Sequence, residues 1–388
     1  MTLRIVADEN MPFAAEHFGR LGEVTLLAGR RITADDVRDA DLLMVRSVTR
    51  VNRELLAGSR VRFVGTATIG TDHVDLDYLR ESGIGFASAP GCNAESVAQY
   101  VAAALAFAAG RLGLRLSECS LGIVGVGNCG SRVRRVAEAL GLRVVLNDPP
   151  LARATGDSSY RPLDELMECD FVTLHVPLTR GGDDPTWRLF DGERIARLKP
   201  AAVLINASRG GVIDEGAWAA GLSDGPRHKL ILDAWEGEPS INPDMLRRAL
   251  VGTPHIAGYS YDGKVAGTRM IYEAACRWLG REAAAPALAM PPAAVPAIRL
   301  NAAHRAADSI LAELVLTAYP ILRDDADLRT ALHAAGEAIG AAFDERRKRY
   351  PLRREFAATT LTLEGADEDL AERVRMLGFT CRNAAASR

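Results

Sequence analysis

The segment from Leu121 to Asp148 constrains the fold of this chain most, because it joins two apolar runs through a glycine-rich turn. Its sequence is LGIVGVGNCGSRVRRVAEALGLRVVLND. Residues 121–124 predict a strand, and the glycines that follow have the spacing G-x-G-x-x-G. Apolar residues at helical spacing come next, before a second apolar run ends at Asp148. The order strand, turn, helix, strand predicts a βαβ unit of a parallel sheet.

Each glycine of this turn has a physical role when a strand precedes it and a helix follows. Gly125 permits the tight turn, Gly127 lets main-chain N–H groups approach a pyrophosphate, and Gly130 lets the helix pack closely on the strand. The helix N-terminus favours an anion there. Asp148 stands where a carboxylate accepts ribose hydroxyls and repels a 2′-phosphate, so NAD is favoured over NADP. The alternative is a plain βαβ unit in which Asp148 is a turn residue before two prolines.

Composition restricts the class of protein. The chain has 388 residues, 48% of them hydrophobic and 25% charged, with a formal net charge of −3. That length allows two or three domains. No apolar stretch approaches the length of a membrane span, and Asp8 and Glu9 stand where a signal peptide would need apolar residues. We therefore expect a cytoplasmic protein that binds no membrane.

The basic and sulfur-containing residues suggest neither a nucleic acid nor a metal as partner. Arginine groups at 132–135 and 346–349 are more typical of solvated helix faces than of a nucleic-acid-binding patch. The six cysteines have no C-x-x-C spacing and no histidine at metal-ligand spacing, which predicts free thiols. They are Cys92, Cys119, Cys129, Cys169, Cys276 and Cys381.

Strand-like runs alternate with helical patterns on both sides of the glycine-rich turn. This predicts an α/β fold with two Rossmann-like, doubly wound parallel-sheet domains and a small C-terminal α+β domain. The predicted limits are 1–95 with 257–280 for a discontinuous substrate-binding domain, 96–256 for the dinucleotide domain, 281–298 for a linker and 299–388 for the C-terminal domain.

The C-terminal domain shows no catalytic cluster of residues. Helical patterns at 303–319, 328–346 and 368–377 accompany a strand pattern at 356–363. A mixed domain with one apolar face serves assembly more often than chemistry, and a homodimer is the simplest closed assembly. We therefore expect residues 299–388 to form a dimerisation domain.

Polar or small residues follow nearly every predicted strand. Because ligands bind beyond the carboxyl ends of parallel strands, these clusters predict a cleft for a cofactor and a substrate. In the first domain, Arg46 and Ser47 follow the third strand, and Thr66 and Thr68 lie at the end of the fourth. These four are candidates to donate hydrogen bonds to a phosphate of the substrate.

With these clusters in view, residues 1 to about 280 resemble the D-isomer-specific 2-hydroxyacid dehydrogenases. The general match is carried by GIVGVGNCG, INASRGGVIDE, LDAWEGEP and TPHIAGYS. A narrower match to one branch of that family is carried by DENMPF, VRSVTRVN, FVGTATIGTDHVD, APGCNAESV and HIAGYSYDGK. The C-terminal domain is also similar in size and place to the dimerisation domain of that branch.

The resemblance implies an activity. The expected reaction is the NAD-dependent oxidation of 4-phospho-D-erythronate to (R)-3-hydroxy-2-oxo-4-phosphooxybutanoate, a step of pyridoxine biosynthesis. One alternative is oxidation of another D-2-hydroxy acid such as 3-phosphoglycerate. A second alternative is a non-catalytic, NAD-sensing binding protein of the same fold, of the kind that the transcriptional corepressors of this superfamily resemble.

The resemblance also implies functional residues. The implied catalytic residues are Arg209, Glu238 and His255. Besides the three glycines of the turn, the implied contacts to NAD are Asn128, Cys129, Asp148, Val176, Ala207, Ser208, Arg209, Asp233 and Gly258. The implied contacts to the substrate are Ser47, Thr68 and Tyr259.

The three implied catalytic residues suit the chemistry of 2-hydroxy acid oxidation. His255 can accept the hydroxyl proton because imidazole titrates near neutral pH. Glu238 can hydrogen-bond the far ring nitrogen and fix the tautomer, and Arg209 offers a planar fork for a carboxylate and the C2 oxygen. Taken singly, each residue has a plain alternative: a loop histidine, a surface acid or a helix-start arginine. Together, at three strand ends, they favour an active site.

Overall fold

The structure of this chain is a computed structural model that describes residues 2–221 and 228–383. The chain divides into two compact units. The first comprises residues 1–94 with 259–291, and the second comprises residues 95–258 with 292–388. The domain limits given above stay predictions.

The first unit is built on a five-stranded, fully parallel sheet. Its strands are β1 (Leu3–Asp8), β2 (Gly22–Leu27), β3 (Leu42–Val45), β4 (Phe63–Thr66) and β5 (Gly85–Ala87). Its helices are α1 (Ala14–Phe18), α2 (Ala34–Val37), α3 (Arg53–Leu56), α4 (Leu76–Glu81) and α11 (Tyr261–Trp278). The strand order is β2-β1-β3-β4-β5. Both β3 and β4 are wholly buried, as expected for strands covered on both faces.

The second unit contains a six-stranded parallel sheet. Its strands are β6 (Ser120–Val124), β7 (Arg143–Asn147), β8 (Phe171–Leu174), β9 (Val203–Asn206), β10 (Lys229–Leu232) and β11 (Val251–Gly252). Its helices are α5 (Ala94–Leu112), α6 (Asn128–Ala139), α7 (Pro149–Thr155), α8 (Gly192–Arg197), α9 (Glu215–Ala220) and α10 (Pro243–Arg248). The strand order is β11-β10-β9-β8-β6-β7.

A single parallel bridge extends this sheet. Tyr160 pairs with Leu146 of β7, and so it takes the place of a third strand beyond β7. If β6 is counted as strand 1, β7 as strand 2 and the Tyr160 bridge as strand 3, then β8, β9 and β10 are strands 4, 5 and 6. The order across the sheet is then 3-2-1-4-5-6, which is that of a dinucleotide-binding Rossmann sheet, and β11 is an additional strand at the far edge. The predicted Rossmann-like fold is confirmed.

Residues 292–383 add a smaller sheet, with helices, to the second unit. Its strands β12 (Ala297–Asn301), β13 (Thr360–Glu364) and β14 (Thr380–Asn383) are parallel, in the order β12-β13-β14. Its helices are α12 (Ala307–Ala318), α13 (Ile321–Ala335), α14 (Ile339–Lys348) and α15 (Glu368–Leu377). The last of these matches its prediction residue for residue.

Several element predictions in this region were wrong. The helix predicted at 328–346 is two helices, because Gly336 takes a positive φ of 56° and ends α13. The strand predicted at 356–363 begins with a 3₁₀ turn at Phe356–Ala358. Strands β12 and β14 were missed, and β12 begins inside the predicted linker 281–298. Residues 281–296 otherwise carry no helix or strand.

Within the described residues, no helix is long and apolar enough to cross a membrane. The same residues contain no group of three or more His, Cys, Asp or Glu side chains that could hold a metal ion. All six cysteines are free thiols.

Candidate active site

The glycine turn after β6 has the geometry that a diphosphate needs. Gly125 has a φ of 85°, which favours glycine. A Cβ on Gly130 would lie 2.0 Å from the Gly125 carbonyl oxygen, so only glycine lets α6 approach the turn. A Cβ on Gly127 would meet nothing within 4 Å, so this side of the turn is open. Since Gly127 has no side chain to cap α6, the first N–H groups of the helix, at Asn128, Cys129 and Gly130, suit an anion.

Asp148 follows β7 and has a structural role that the sequence did not reveal. Its Oδ2 accepts a hydrogen bond from Val126 N at 2.8 Å, which ties it to the glycine turn. Its Oδ1 accepts one from Leu151 N at 3.0 Å and caps α7. A carboxylate oxygen has more than one lone pair, so both atoms can accept a further bond from ribose hydroxyls. The half-buried Asp148 is therefore positioned and still available to a ligand.

Two side chains beside the turn connect it to the rest of the site. Val176, after β8, places its Cγ1 2.9 Å from where a Cβ on Gly125 would stand. Burial raises the pKa of the Cys129 thiol, while the charges of Arg132 and Arg209 oppose that rise. The guanidinium of Arg209 therefore lies within electrostatic reach of the glycine turn.

Arg209 lies in a turn after β9 that Asn206 organises. Asn206 Nδ2 donates to the carbonyl oxygens of Arg209 at 2.9 Å and Ala234 at 3.2 Å. Its Oδ1 accepts from the Ser208 main-chain N–H and hydroxyl. Because the Ser208 hydroxyl is engaged in this way and the residue is buried, Ser208 and half-buried Ala207 offer mainly main-chain atoms to a cofactor. Sequence reasoning missed Asn206, whose signal was its position as the last residue of a strand.

A close approach at Gly210 brings this turn against the turn that carries Glu238. A Cβ on Gly210 would stand 1.8 Å from the Trp235 carbonyl oxygen, so only glycine allows the contact. Glu238 Oε1 accepts from Trp235 N at 2.7 Å. Its Oε2 lies 2.8 Å from His255 Nδ1. The turns that carry Arg209, Glu238 and His255 therefore gather at the carboxyl ends of β9, β10 and β11.

The Glu238 carboxylate sets the tautomer of His255. Burial would raise the pKa of Glu238, but the charge of His255, its hydrogen bond, the Trp235 N–H and the charge of Arg347 together lower it. Glu238 is therefore ionised at neutral pH, and Nδ1 donates to it. A neutral imidazole then has Nε2 as its free basic atom. The side chain of His255 is 29% exposed, so a ligand can reach it.

His255 has a backbone conformation that side chains rarely adopt. Its φ is 55°, in the left-handed region, which costs about 1–2 kcal/mol for a residue with a Cβ. Such conformations persist only where the surrounding contacts determine them. The contacts that do so here include the hydrogen bond from His255 N to Thr253 O, at 3.0 Å.

Asp233 is the predicted cofactor residue whose side chain is least accessible. It is 1% exposed, and its Oδ1 accepts from Thr253 Oγ1 and Ile256 N, both at 2.7 Å. Its Oδ2 accepts from Ala257 N at 2.9 Å. Burial raises the pKa of Asp233 against the effect of His255 and these donors. The side chain therefore organises the loop around His255, and the half-buried Gly258 follows that loop.

Glu215 lies close to Glu236 and Glu238, and the sequence analysis did not predict it as a site residue. Its Oε1 accepts from Glu236 N at 2.7 Å, and only 6% of the residue is exposed. Burial, with the charges of Glu236 and Glu238, raises the pKa of Glu215 to about 7. Arg347 of α14 was predicted to be solvated. That prediction was wrong, because Arg347 is only partly exposed and its charge acts on Glu238.

The predicted substrate residues lie in the first unit. Ser47 is exposed and Arg46 is half-buried in the turn after β3. Tyr259 is half-buried, with the Lys264 ammonium 4.8 Å from its ring centroid. Thr68, after β4, donates its hydroxyl proton to Gly70 O at 3.1 Å. This hydroxyl must rotate before it can donate to a ligand.

The prediction that Thr66 donates to a ligand was wrong. Thr66 is fully buried, and its hydroxyl lies 2.8 Å from Thr68 Oγ1 and 3.0 Å from His73 Nε2. Since Thr68 donates to a carbonyl, the chain of donors runs from His73 through Thr66 to Thr68. Sequence reasoning missed His73, which comes seven residues after Thr66 and gave no signal of its own.

Comparisons with known proteins identify the family of this chain. Residues 95–257 match the family described as D-isomer specific 2-hydroxyacid dehydrogenase, NAD binding domain. Two erythronate-4-phosphate dehydrogenases are similar over almost the full length. That of Marinobacter nauticus is 47% identical over 97% of this chain and 98% of its own. That of Cronobacter sakazakii is 48% identical over the same shares.

The chain belongs to the erythronate-4-phosphate dehydrogenase family. It is therefore an NAD-dependent dehydrogenase of the D-isomer-specific 2-hydroxyacid type, as predicted. Residues 289–378 match a domain described only as of unknown function.

Solved structures share the fold of this family. An NAD⁺-bound 3-phosphoglycerate dehydrogenase of Entamoeba histolytica has a TM-score of 0.59 at 23% identity, covering 72% of this chain and 96% of its own. A D-lactate dehydrogenase of Aquifex aeolicus in complex with NAD and lactic acid has a TM-score of 0.57 at 24% identity, covering 71% and 95%.

Proposed function

We propose that this NAD-dependent dehydrogenase oxidises 4-phospho-D-erythronate at C2, giving (R)-3-hydroxy-2-oxo-4-phosphooxybutanoate for pyridoxine biosynthesis. The observation that carries the proposal is the hydrogen bond of 2.8 Å between Glu238 Oε2 and His255 Nδ1, beside a glycine turn that suits NAD. The identity of 47–48% to erythronate-4-phosphate dehydrogenases supports the choice of substrate.

The proton transfer is assigned to His255. Its Nδ1–H is held by Glu238, so Nε2 accepts the proton of the C2 hydroxyl as the C2–H bond breaks. The imidazolium that forms lies against the Glu238 carboxylate, which stabilises the positive charge. When bound, NAD accepts the two electrons of the C2–H bond as hydride. Atoms and charge balance, because the proton stays on His255 until solvent removes it.

Arg209 is assigned to the carboxylate and the C2 oxygen of the substrate. The guanidinium is permanently charged and has its donors in a plane. The hydrogen bonds from Asn206 to the Arg209 carbonyl and to the neighbouring turn fix the backbone from which the side chain extends. Charge-assisted, paired hydrogen bonds of this kind orient a carboxylate as well as bind it.

The cofactor contacts are assigned to the open side of the glycine turn. Asn128, Cys129 and Gly130 offer main-chain N–H groups to the diphosphate, and Asp148 accepts the ribose hydroxyls. Val176, Ala207, Ser208 and Gly258 are assigned main-chain or surface contacts. The contribution of Asp233 is assigned to the loop that it organises, since three donors of the chain already occupy its carboxylate.

The substrate contacts of the first unit are assigned to Arg46, Ser47, Thr68 and Tyr259. The charge of Arg46 and the exposure of Ser47 support them as phosphate ligands. Thr68 would contribute after its hydroxyl turns away from Gly70 O.

The decisive experiment follows NADH formation with 4-phospho-D-erythronate and with 3-phospho-D-glycerate under the same conditions. The proposal expects the higher kcat/KM with the four-carbon substrate. A preference for the three-carbon acid would assign the chain another D-2-hydroxy acid. If the protein binds NAD but oxidises neither acid, an NAD-sensing role gains support.

We further propose that the protein acts in the cytoplasm as a homodimer and that residues 299–388 contribute to the dimer. The metabolic role of the relatives and the position of the C-terminal domain after the catalytic region support this assignment. Sedimentation of the full chain tests it: the expected mass is twice that of one chain, and the mass of a single chain would reject it. Cell fractionation tests the compartment.

A further inference from the structure

The two residues that follow His255 are held from the side of the sheet. The main-chain N–H groups of Ile256 and Ala257 both donate to the carboxylate of Asp233, at 2.7 and 2.9 Å. Asp233 also accepts from the hydroxyl of Thr253, two residues before His255. One buried carboxylate therefore fixes the catalytic loop on both sides of the histidine.

The carbonyl groups of the same two residues are held by an arginine from the C-terminal region. Arg353 Nη2 donates to Ala257 O at 2.7 Å and lies 3.2 Å from Ile256 O. It also lies 2.5 Å from the hydroxyl of Ser96, which donates to Ala257 O at 2.7 Å. All of these residues belong to the second compact unit. The segment 256–257 is therefore held between Asp233 on one side and Arg353 on the other.

The surroundings of Arg353 keep it charged and in place. Its guanidinium carbon lies 4.3 Å from the ring centroid of Tyr319 and 5.9 Å from that of Tyr350, distances typical of cation–π contacts. Burial acts to lower the pKa of Arg353, but the two tyrosines, Asp324 and Asp233 raise it overall. Within the described part of the chain, its Nη1 is buried and has no hydrogen-bond partner.

This arrangement is unusual for a residue that serves only packing. Arg353 as a whole is half-buried, but a buried guanidinium nitrogen without a hydrogen-bond partner is unfavourable, and apolar side chains of similar volume stabilise a fold as well or better. The loop that Arg353 holds is the one in which His255 has its left-handed backbone conformation. Such a conformation requires support from its surroundings.

We propose that Arg353 is a positioning residue for catalysis: by holding the carbonyl groups after His255, it keeps the imidazole on Glu238 and Nε2 toward the substrate. The C-terminal region, whose family description assigns no function, thereby takes part in the chemistry of the NAD-binding region. The inference rests on the proposed function for its kinetic readouts only.

A matched control distinguishes positioning from general docking. Arg373 of α15 also comes from the C-terminal region and also donates to a main-chain carbonyl of the NAD-binding region, from Nε to Ala139 O at 2.8 Å. Its contact is at the end of α6, not at the catalytic loop. Loss of Arg373 therefore removes a docking contact of the same kind without touching the support of His255.

The experiment compares Arg353→Ala, Arg353→Lys and Arg373→Ala as full-length proteins. Arg353→Ala is expected to lower kcat by about 100-fold, the loss typical of a misplaced catalytic group, with the KM for NAD nearly unchanged. Arg353→Lys should retain an intermediate kcat, and added guanidinium at millimolar concentration should restore part of the activity of Arg353→Ala.

Rescue by lysine or by added guanidinium is a readout that a purely structural loss would not give. Arg373→Ala should lower Tm but keep the kcat of the wild type, because its contact lies at the end of α6.

Several results would overturn the proposal. It fails if Arg353→Ala keeps the wild-type kcat, or if both alanine variants lose activity in proportion to their loss of Tm. If Arg353→Ala does not fold, Arg353→Lys and Ser96→Ala replace it, and unchanged kcat in both rejects the proposal.

An NMR measurement that needs no turnover distinguishes failure of this proposal from failure of the proposed function. The chain has seven histidines, so the ¹⁵N signals of His255 can be assigned by their loss in His255→Gln. Arg353→Lys should shift the Nδ1 signal away from its Glu238-bonded position, and Arg373→Ala should not. An unchanged signal rejects the positioning role even if the enzyme proves to oxidise another acid.

Discussion

The two larger parallel sheets of this chain support the residues at their carboxyl ends very differently. In the sheet β6–β11, the turns of Arg209, Glu238 and His255 are fixed by Asn206, the Trp235 N–H and Asp233 before any ligand arrives. In the sheet β1–β5, Ser47 is exposed, and the Thr68 hydroxyl donates to its own loop. Two fully parallel sheets therefore differ in how far the residues at their carboxyl ends are preorganised.

This difference in support indicates at which sheet the catalytic groups are expected. A catalytic group must be held close to its productive geometry by neighbours that are themselves fixed. The second sheet provides such neighbours from buried residues, whereas the side chains proposed to bind the substrate at the first sheet are exposed or hydrogen-bonded to their own loop. Substitutions at the second sheet should therefore affect kcat, and those at the first sheet should affect KM.

The largest effect is expected for His255→Ala. Without its base, the enzyme should lose about 1000-fold in kcat, while the dissociation constant for NAD stays near that of the wild type. Stopped-flow turnover measures kcat, and a calorimetric titration with NAD measures the dissociation constant. Loss of NAD binding with loss of turnover would make His255 a structural residue and would break the comparison.

A second prediction concerns Glu215 at the second sheet, where burial and neighbouring acids make its ionised form unfavourable in the folded protein. The pKa of Glu215 is raised to about 7 above its ordinary value, so its neutral form is favoured in the folded state. Its stabilising contribution is present below the ordinary pKa of glutamate and is lost as the pH rises through about 7. Relative to Glu215→Gln, the wild type should lose on the order of 3 kcal/mol of unfolding free energy on going from about pH 5 to pH 8. The unfolding free energy of both proteins is measured by urea unfolding at each pH. An equal change with pH in the two proteins would contradict the prediction.

Arg209→Lys tests whether the second sheet provides geometry as well as charge. The lysine keeps the positive charge but lacks the planar fork, so kcat/KM should fall by about 100-fold. Steady-state kinetics with Arg209→Ala as the reference measures this. If the lysine variant is as active as the wild type, charge alone is sufficient and the assigned paired hydrogen bonds are wrong.

Asp148→Ala tests the proposed contact between the second sheet and the ribose of NAD. Loss of the acceptor for the ribose hydroxyls should raise the dissociation constant for NAD by about 10-fold and reduce the preference for NAD over NADP. Part of the loss comes from the glycine turn, because Val126 N loses its acceptor. Measuring NADP binding as well separates the two causes, because a disturbed glycine turn weakens both cofactors, whereas loss of the ribose acceptor changes their ratio. An unchanged ratio of NAD to NADP would reject the ribose contact.

The smallest effects are expected at the first sheet. Ser47→Ala should raise the KM for the phosphorylated substrate several-fold, about 10-fold at most, with kcat nearly unchanged. Ser82→Ala is the control, because Ser82 is also an exposed serine of this unit but follows α4, away from the carboxyl ends of the strands, and its loss should leave both KM and kcat unchanged. If Ser47→Ala lowers kcat instead of raising KM, the first sheet also positions the reacting atoms.

The sequence predicted those features whose cause is local. The glycine spacing between a strand and a helix has one backbone explanation, and the fold and cofactor predicted from it were confirmed. The bond from Glu238 to His255, which fixes the tautomer, was also anticipated, because the resemblance to the 2-hydroxyacid dehydrogenases implied that both residues belong to one site.

Features that depend on long-range packing were not readable from the sequence. An acid at the end of a strand looks the same whether it binds a ligand or holds a loop, so Asp233 and Asp148 were given similar roles. Burial made Thr66 inaccessible, and no local pattern shows burial of a threonine after a strand. The contact from Arg353 to Ala257 joins residues 96 positions apart.

The central claim is that the second sheet places an imidazole and a guanidinium around the reacting carbon of a substrate beside NAD. Its most direct test is a crystal structure with NADH and the substrate or its 2-oxo product. We predict the C2 oxygen about 3 Å from His255 Nε2, the carboxylate on Arg209, and the diphosphate on the N–H groups that begin α6. A substrate oxygen that contacts neither residue, or a diphosphate bound away from the glycine turn, would contradict the account.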